Sequence, residues 1–184
     1  MSTEINYAMV QEFHSVYGMD PVPFVKSFPL RMELIREEAE ELSEAVSDKD
    51  EVAIVDALTD LLYVLYGGYI SFGVRPETIL DTSDTLDNYD VERLEGHVDS
   101  LVVDMYTSYN FDYILDRMAE MAQVIYIAGK DLGYDLDGAF KEVHRSNLSK
   151  LDDNGKPVKR LDGKILKGPN FTPPNLAPFV PKVD

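Results

Sequence analysis

Residues 34–60, LIREEAEELSEAVSDKDEVAIVDALTD, decide the fold class, because they hold two helical patterns on either side of a short break. The first pattern, from about Leu30 to Val46, repeats apolar side chains with the 3.6-residue period of an α-helix. Residues 47–50 form the break, and Asp50 is a residue type suited to cap the next helix. The second pattern runs from about Glu51 to Phe72 and is apolar nearly all round, which predicts a buried helix. Together they predict an all-α bundle.

Four acidic residues interrupt the apolar faces of these two helices. On a helical wheel, Glu38 falls inside the apolar arc of the first helix and Glu41 falls at its edge. Asp56 and Asp60 lie one turn apart on one stripe of the second helix. The remaining acids of the first helix fall on the side predicted to face solvent: Glu37, Glu40 and Glu44.

Buried carboxylates need a partner, since each one left unpaired costs several kcal/mol. Between residues 32 and 66 the basic residues are Arg36, predicted to face solvent, and Lys49 in the break. Oxygen ligands without His or Cys select Mg²⁺, Mn²⁺ or Ca²⁺. We therefore predict a metal site made by four carboxylates: Glu38, Glu41, Asp56 and Asp60.

The rest of the chain predicts more helices, followed by a different C-terminal segment. Helices are expected over residues 4–17, 91–109, 112–132 and 137–150, with another beginning near Pro76 and an acidic connection over 82–90. Three prolines predict that residues 18–29 are a loop. In PVKRLDGKIL (157–166), Asp162-Gly163 between extended flanks predicts a β-hairpin. We expect an all-α domain over 1–150, with an irregular basic arm over 151–184 packing on it.

A weak internal repeat appears at an offset of 60 residues. Asp56, Val64, Tyr66 and Gly73 recur as Asp116, Val124, Tyr126 and Gly133, with no gap between residues 56 and 80. Four identities are few, because helices share hydrophobic spacing in any case. The pattern suggests a duplicated helix pair with internal pseudo-two-fold symmetry.

Composition and charge exclude several functions. The net charge is -17, so binding to nucleic-acid polymers or anionic membranes is not expected. No cysteine is present, which excludes disulfides, thiol nucleophiles and thiolate metal sites. The longest uncharged apolar run, 61–74, has 14 residues and is too short to span a bilayer. With no secretory pattern at the N-terminus, we expect a soluble, cytoplasmic protein.

Charge is also divided unevenly along the chain. Residues 1–140 hold 8 Lys/Arg and 29 Asp/Glu, a net of -21, whereas residues 141–184 hold 9 and 5, a net of +4. Two explanations stay open at this point. The arm docks on the body by general electrostatics, or the acids bind metal ions while the bases bind the phosphates that accompany them.

The acid motif resembles the all-α NTP pyrophosphatase superfamily, which includes MazG, the dimeric dUTPases and phosphoribosyl-ATP pyrophosphohydrolase. The resemblance rests on EExxE (37–41), an acid pair on the next helix and the stretch DLLYVLYG (60–67). The superfamily pattern is ExxE, a spacer, then ExxD. Glu38, Glu41 and Asp60 match it, but Ala57 stands where the remaining Glu is expected and Asp56 comes one residue earlier.

A second stretch, Glu142–Asn170, resembles the C-terminal signature of MazG-like members. By this resemblance Asn147 and Lys150 of RSNLSK reach the nucleotide phosphates, together with Arg145. Lys164 and Lys167 are further candidates for gripping a triphosphate, although lysines of a hairpin equally serve as a solubilising surface. Since the first repeat keeps the acids and the second keeps RSNLSK, one composite site is expected.

The resemblance implies an Mg²⁺-dependent hydrolase that cleaves a nucleoside triphosphate between the α and β phosphates. Mn²⁺ is a possible substitute metal, and Glu38 or Glu41 is the candidate general base. Members of the superfamily commonly pair, so a homodimer is expected. Two alternatives remain: a non-catalytic metal-binding helical protein with an interaction or regulatory role, and a narrower dUTPase-like or phosphoribosyl-nucleotide hydrolase. A phosphate-binding loop of the GxxxxGK[ST] or GxGxxG type is absent.

Overall fold

The computed structural model describes residues 3–19, 24–75 and 89–181, and within them the fold is all-α. Its six α-helices are α1 (Thr3–Val16), α2 (Phe24–Asp48), α3 (Glu51–Phe72), α4 (Val91–Thr107), α5 (Phe111–Asp131) and α6 (Leu136–Leu148), followed by a 3₁₀ turn at Ala177–Phe179. The all-α class expected from the sequence is confirmed. The helix expected near Pro76 and most of the acidic connection after it lie outside the described residues.

α2 starts earlier than its sequence predicts, at Phe24 rather than Leu30, so the expected loop is wrong over residues 24–29. Pro29 lies inside the helix, where it removes one backbone hydrogen bond. An aromatic cluster compensates for this, since the Phe24 ring lies 4.9 Å from the ring of Phe72 and 4.4 Å from that of Phe111. Packing between helices therefore overrides the local signal of the proline.

The core helix is α3, as its composition predicts. Its side chains are buried on nearly every face, and Asp50 caps its start by accepting hydrogen bonds from the amides of Val52 and Ala53. By length and composition alone α3 could cross a membrane, but 72% of its most apolar window is buried inside the fold. This burial identifies α3 as the core helix of the bundle.

Two helical hairpins, α2–α3 and α4–α5, share the register of the 60-residue repeat. α3 is capped by Asp50 and α5 by Asn110, 60 positions later. Gly73 and Gly133 follow these helices with positive φ angles of 70° and 78°, a backbone conformation that favours glycine. The hydroxyls of the repeat-related pair Tyr66 and Tyr126 lie 2.6 Å apart in the core. These correspondences agree with a duplicated helix pair.

The C-terminal arm packs along the helices but forms no strand among the described residues, so the expected β-hairpin is wrong. Lys159 and Ile165 form an isolated antiparallel bridge around the Asp162-Gly163 turn, and no longer ladder develops. Two short extended segments that pair only with each other are marginally stable, so the pairing does not extend beyond this bridge. The arm is held by contacts to the helical body, among them Lys159 Nζ to the Gly18 carbonyl at 3.1 Å and the Asp135 amide to the Phe179 carbonyl at 3.0 Å.

Candidate functional site

An open cleft of about 680 Å³, including its mouth, lies between α1, α2, α3, the end of α6 and the C-terminal arm. Glu38 of α2 and Asp60 of α3 line it together with Asn147, Lys150 and Lys164. The structure therefore brings the acidic motif and the basic C-terminal segment to one place.

The four predicted metal ligands lie on the facing sides of α2 and α3. Glu38 and Asp60 line the cleft, while Glu41 and Asp56 lie about one turn away along their own helices. Glu41 is exposed, and the other three are partly buried. The helical wheel thus placed Glu38 and Asp60 correctly at a protected surface between helices.

The electrostatics of these acids show that they repel one another. Burial raises the pKa of Glu38, and the charges of Asp60 and Glu41 raise it further. Burial and then Asp56 raise the pKa of Asp60 in the same way. The pKa values of Glu41 and Asp56 are also raised, chiefly by burial. Such a group of desolvated carboxylates favours a bound cation.

The donor set fits a hard divalent cation. Asp56 Oδ1 is buried without a hydrogen-bond partner, and every candidate ligand is a carboxylate oxygen. Among residues 3–19, 24–75 and 89–181, no three Asp, Glu or His side chains are already arranged to hold an ion. The charges and ligand chemistry therefore suit Mg²⁺, and the carboxylates would have to turn towards it.

Lysines from the far end of the chain add positive charge beside the acidic residues of α2 and α3. Lys164 forms an ion pair with Glu37, a residue expected to face solvent, and both side chains are less than a third exposed, at 29% and 27%. Lys150 lowers the pKa of Asp60 and Glu38, against the effect of burial. Lys167 acts likewise on Glu41 and Asp56. Lysines thus already offset part of the acidic charge.

Asn147 is buried in the wall of the cleft, where a hydrogen bond from Tyr17 Oη to its backbone carbonyl, 2.8 Å long, fixes the end of α6. Beside it, Tyr63 Oη lies 3.0 Å from His144 Nδ1, and His144 Nε2 lies 3.3 Å from Glu12 Oε2. This network ties α1, α3 and α6 together. His144 therefore supports the cleft from behind, and it does not line the cleft.

Two of the predicted phosphate contacts do not line the cleft. Arg145 is exposed on the outer face of α6, where it pairs with Glu142 at 2.8 Å and donates to the Pro173 carbonyl at 3.0 Å. Lys167 is exposed, with Nζ 4.8 Å from the centre of the Phe171 ring. The structure therefore groups Asn147, Lys150 and Lys164 at the cleft and leaves Arg145 outside it.

Three residues of the cleft were missed by the sequence argument: Arg31, His14 and Gly67. Arg31 is buried at 6% exposure and His14 at 5%. A signal for Arg31 was available, because the wheel that places Glu38 in the apolar arc of α2 also places Arg31 there, at about 60° from Leu34. A charged residue on the apolar face of a helix indicates a buried polar site, for Arg31 as for Glu38.

Comparison with known proteins finds a family match that spans both acid-bearing helices. Residues 14–85, which include both acid-bearing helices, match the family model of phosphoribosyl-ATP pyrophosphohydrolase. The chain is also 29% identical, over 193 aligned positions, to an uncharacterized protein, L479, of Acanthamoeba polyphaga mimivirus, covering 79% of this chain and 71% of that protein. No solved structure matches.

The matched family is one of pyrophosphohydrolases, which are hydrolases acting on phosphoric anhydrides. By this match, residues 14–85 are similar to the phosphoribosyl-ATP pyrophosphohydrolase family, which is part of the all-α MazG-like NTP pyrophosphatase superfamily. The resemblance stated from the acid motif is confirmed, and so is the enzyme class. A nucleotide substrate agrees with this family.

Proposed function

We propose that the protein is an Mg²⁺-dependent nucleoside triphosphate pyrophosphohydrolase. Water cleaves the α–β phosphoanhydride, and the products are a nucleoside monophosphate and pyrophosphate. The observation that carries this proposal is the cleft itself, which Glu38 and Asp60 line together with Asn147, Lys150 and Lys164. A triphosphate needs cations and hydrogen-bond donors along its length, and this cleft supplies both beside a set of metal-binding acids.

Glu38, Glu41, Asp56 and Asp60 would hold the metal. When bound, Mg²⁺, or Mn²⁺ in its place, supplies charge that offsets the charge developing on the phosphates and lowers the pKa of a water molecule. Lys150 and Lys164 bind phosphate oxygens, and the Asn147 amide donates a hydrogen bond to them. Among the acids, Glu38 lines the cleft whereas Glu41 is exposed, so Glu38 is the better placed to accept the proton of the attacking water.

The Lys164–Glu37 pair gives the arm a role in this site. Because Lys164 reaches the acidic helix from a turn of the arm, residues 151–181 close one side of the cleft. Substrate phosphates compete with Glu37 for the same ammonium group. The basic arm is therefore part of the binding site, and its charge is directed at the ligand as well as at the protein.

A narrower substrate is the second candidate. The matching family model is that of phosphoribosyl-ATP pyrophosphohydrolase, whose substrate carries the same triphosphate chemistry on a larger nucleotide. A non-catalytic metal-binding role is the third, motivated by Ala57 at the position of a family Glu. Turnover of a substrate panel separates the three.

The test is pyrophosphate release from NTPs, dNTPs and phosphoribosyl-ATP, with Mg²⁺ and with EDTA. Glu38→Gln and Asp60→Asn should abolish release while keeping the volume of each side chain. Glu44→Gln is the matched control, since Glu44 is an exposed acid of the same helix. Release that survives both cleft substitutions would contradict the proposed site, and no release from any nucleotide by a protein that Mg²⁺ still stabilises would favour the non-catalytic role.

We also propose that the protein forms a homodimer in the cytoplasm. Apolar side chains are exposed on and after α4, including Val103 at 60% and Tyr109 at 104% exposure. Exposed patches of this kind often mark contacts between subunits. Light scattering during size-exclusion chromatography should give twice the chain mass of 20.8 kDa, and a mass of one chain at micromolar concentration would contradict the dimer.

A further inference from the structure

Arg31 is a buried cation whose partner is not found in the described part of the chain. It is 6% exposed, its Nε has no hydrogen-bond partner, and no carboxylate among residues 3–19, 24–75 and 89–181 forms an ion pair with it. Its guanidinium lies against Gly67, where an added Cβ would come within 3.0 Å of Nη1. Gly67 therefore leaves room for this guanidinium in the wall of the cleft.

A buried charge without a partner is costly for the folded protein. Burial lowers the pKa of Arg31 to about 10, so the side chain is still charged at neutral pH. Beside it, His14 is neutral, because burial and the Arg31 charge lower its pKa to about 3. The guanidinium carries five N–H donors, and its Nε donates to no acceptor in the described part of the chain. A ligand with acceptor atoms would complete the group.

The place of Arg31 shows which part of a nucleotide would meet it. Arg31 and Glu38 are seven residues apart on α2, as are Gly67 and Asp60 on α3, so each pair is separated by about 10 Å along its helix. Phosphates held at the acids and lysines leave the nucleoside to extend towards Arg31. The walls there are apolar and aromatic, with Phe13, Val64 and Tyr63 lining the cleft. Such walls suit a planar base.

We propose that Arg31 reads the nucleobase of the substrate and selects a 6-oxopurine, guanine or hypoxanthine, over adenine. This proposal deepens the proposed function and rests on it. A guanidinium can donate two parallel hydrogen bonds to O6 and N7 of a 6-oxopurine. Adenine presents an amino group in place of O6, so that one donor of Arg31 would face another donor. A second phosphate is a poorer occupant, because the aromatic walls and the neutral His14 offer it no further charge.

The test measures binding of nucleoside monophosphates, which removes the chemical step. Isothermal titration calorimetry with Mg²⁺ present should show GMP and IMP binding roughly 5- to 140-fold more tightly than AMP, the range expected for one bidentate base contact. 7-Deaza-GMP lacks one acceptor and should fall between GMP and AMP. These ligand comparisons use the wild-type protein and do not depend on the folding of a variant.

Arg31→Met should bring the affinities for GMP and AMP together, chiefly by weakening GMP. Arg36→Met is the matched control, because Arg36 lies on the outer side of the same helix and pairs with Glu33 at 2.7 Å and Glu40 at 2.5 Å. Gly67→Ala is a second variant, since its methyl group displaces the guanidinium without removing it. It should also reduce the preference for GMP.

The outcomes separate this inference from the proposed function. Equal affinity of the wild type for GMP and AMP overturns it, as does an Arg31→Met variant that weakens both ligands to the same extent. Failure of every monophosphate to bind overturns it as well. Selective binding of GMP that depends on Arg31, in a protein that hydrolyses no triphosphate, supports base recognition and contradicts the hydrolase.

Discussion

His14 should make the stability of this protein fall between pH 7.5 and pH 5. The ring is 5% exposed and its Nδ1 has no hydrogen-bond partner. Burial, helped by the charge of Arg31 on α2, lowers its pKa from 6.5 to about 3. Below pH 6.5 the His14 side chain therefore binds a proton in the unfolded chain but not in the folded protein. The free energy of unfolding decreases as the pH falls from 6.5 towards 3.

The size of the effect follows from the two pKa values. With 6.5 in the unfolded state and about 3 in the folded state, the free energy of unfolding is about 2 kcal/mol lower at pH 5 than at pH 7.5. For a chain of this length that corresponds to a decrease of roughly 4 to 8 °C in Tm. Carboxylates titrate over the same range. The quantity to compare is therefore the pH-dependent change in the free energy of unfolding of the wild type and of a variant without the histidine.

The assay is urea unfolding of the wild type and His14→Gln at both pH values, followed by far-ultraviolet circular dichroism. Subtracting the pH effect in the variant from that in the wild type removes all shared titrations. His97→Gln is the control, since the His97 side chain is 32% exposed and its Nε2 lies 3.2 Å from Glu120. If the wild type and His14→Gln lose the same stability at pH 5, the His14 ring does not have a lowered pKa in the folded protein.

Three further outcomes follow from the same structure. Lys150→Met should lower kcat/KM about 10- to 150-fold in steady-state pyrophosphate assays, because a charged contact to phosphate is lost. Arg145→Met is the control, since Arg145 lies on the outer face of α6, and it should leave kcat/KM unchanged. Equal losses in the two variants would contradict the placement of Lys150. Gly138→Ala places a Cβ 2.5 Å from Asp135 Oδ2 and from Phe179 Cε1, so thermal unfolding should show that the free energy of unfolding falls by about 1–3 kcal/mol. Gly96→Ala is the control and should show no such decrease, since its Cβ would have nothing within 4 Å. Mg²⁺ at 100 times its Kd should stabilise the wild type by about 2.7 kcal/mol in a thermal shift assay, and Asp56→Asn together with Asp60→Asn should remove that gain; a gain that persists would place the metal elsewhere.

The parts of the fold and site that follow from local periodicity were predictable. The 3.6-residue period placed Glu38 on an apolar face, and the composition of 51–72 marked a buried helix whose start and end the structure reproduces. Asp50 and Gly73 mark the start and the end of that helix. A side-chain cap and a positive φ angle depend only on residues near each end. These features need only neighbouring residues.

Features that depend on distant contacts were not predictable in the same way. The ion pair of Lys164 with Glu37 joins residues 127 positions apart, so Glu37 appeared to be an ordinary solvated acid. Likewise, only the packing of Phe24 against Phe72 and Phe111 explains a helix that continues through Pro29. Sequence spacing alone does not show which surfaces of the helices and the arm pack together.

The proposed reaction of the cleft is hydrolysis of the α–β phosphoanhydride of a nucleotide. It is followed most directly by ³¹P NMR of a nucleoside triphosphate incubated with Mg²⁺ and the wild-type protein, and in parallel with Glu38→Gln. We expect signals of a nucleoside monophosphate and pyrophosphate with the wild type, and an unchanged triphosphate with the variant. A nucleoside diphosphate with inorganic phosphate, or the same products from Glu38→Gln, would contradict the proposed reaction.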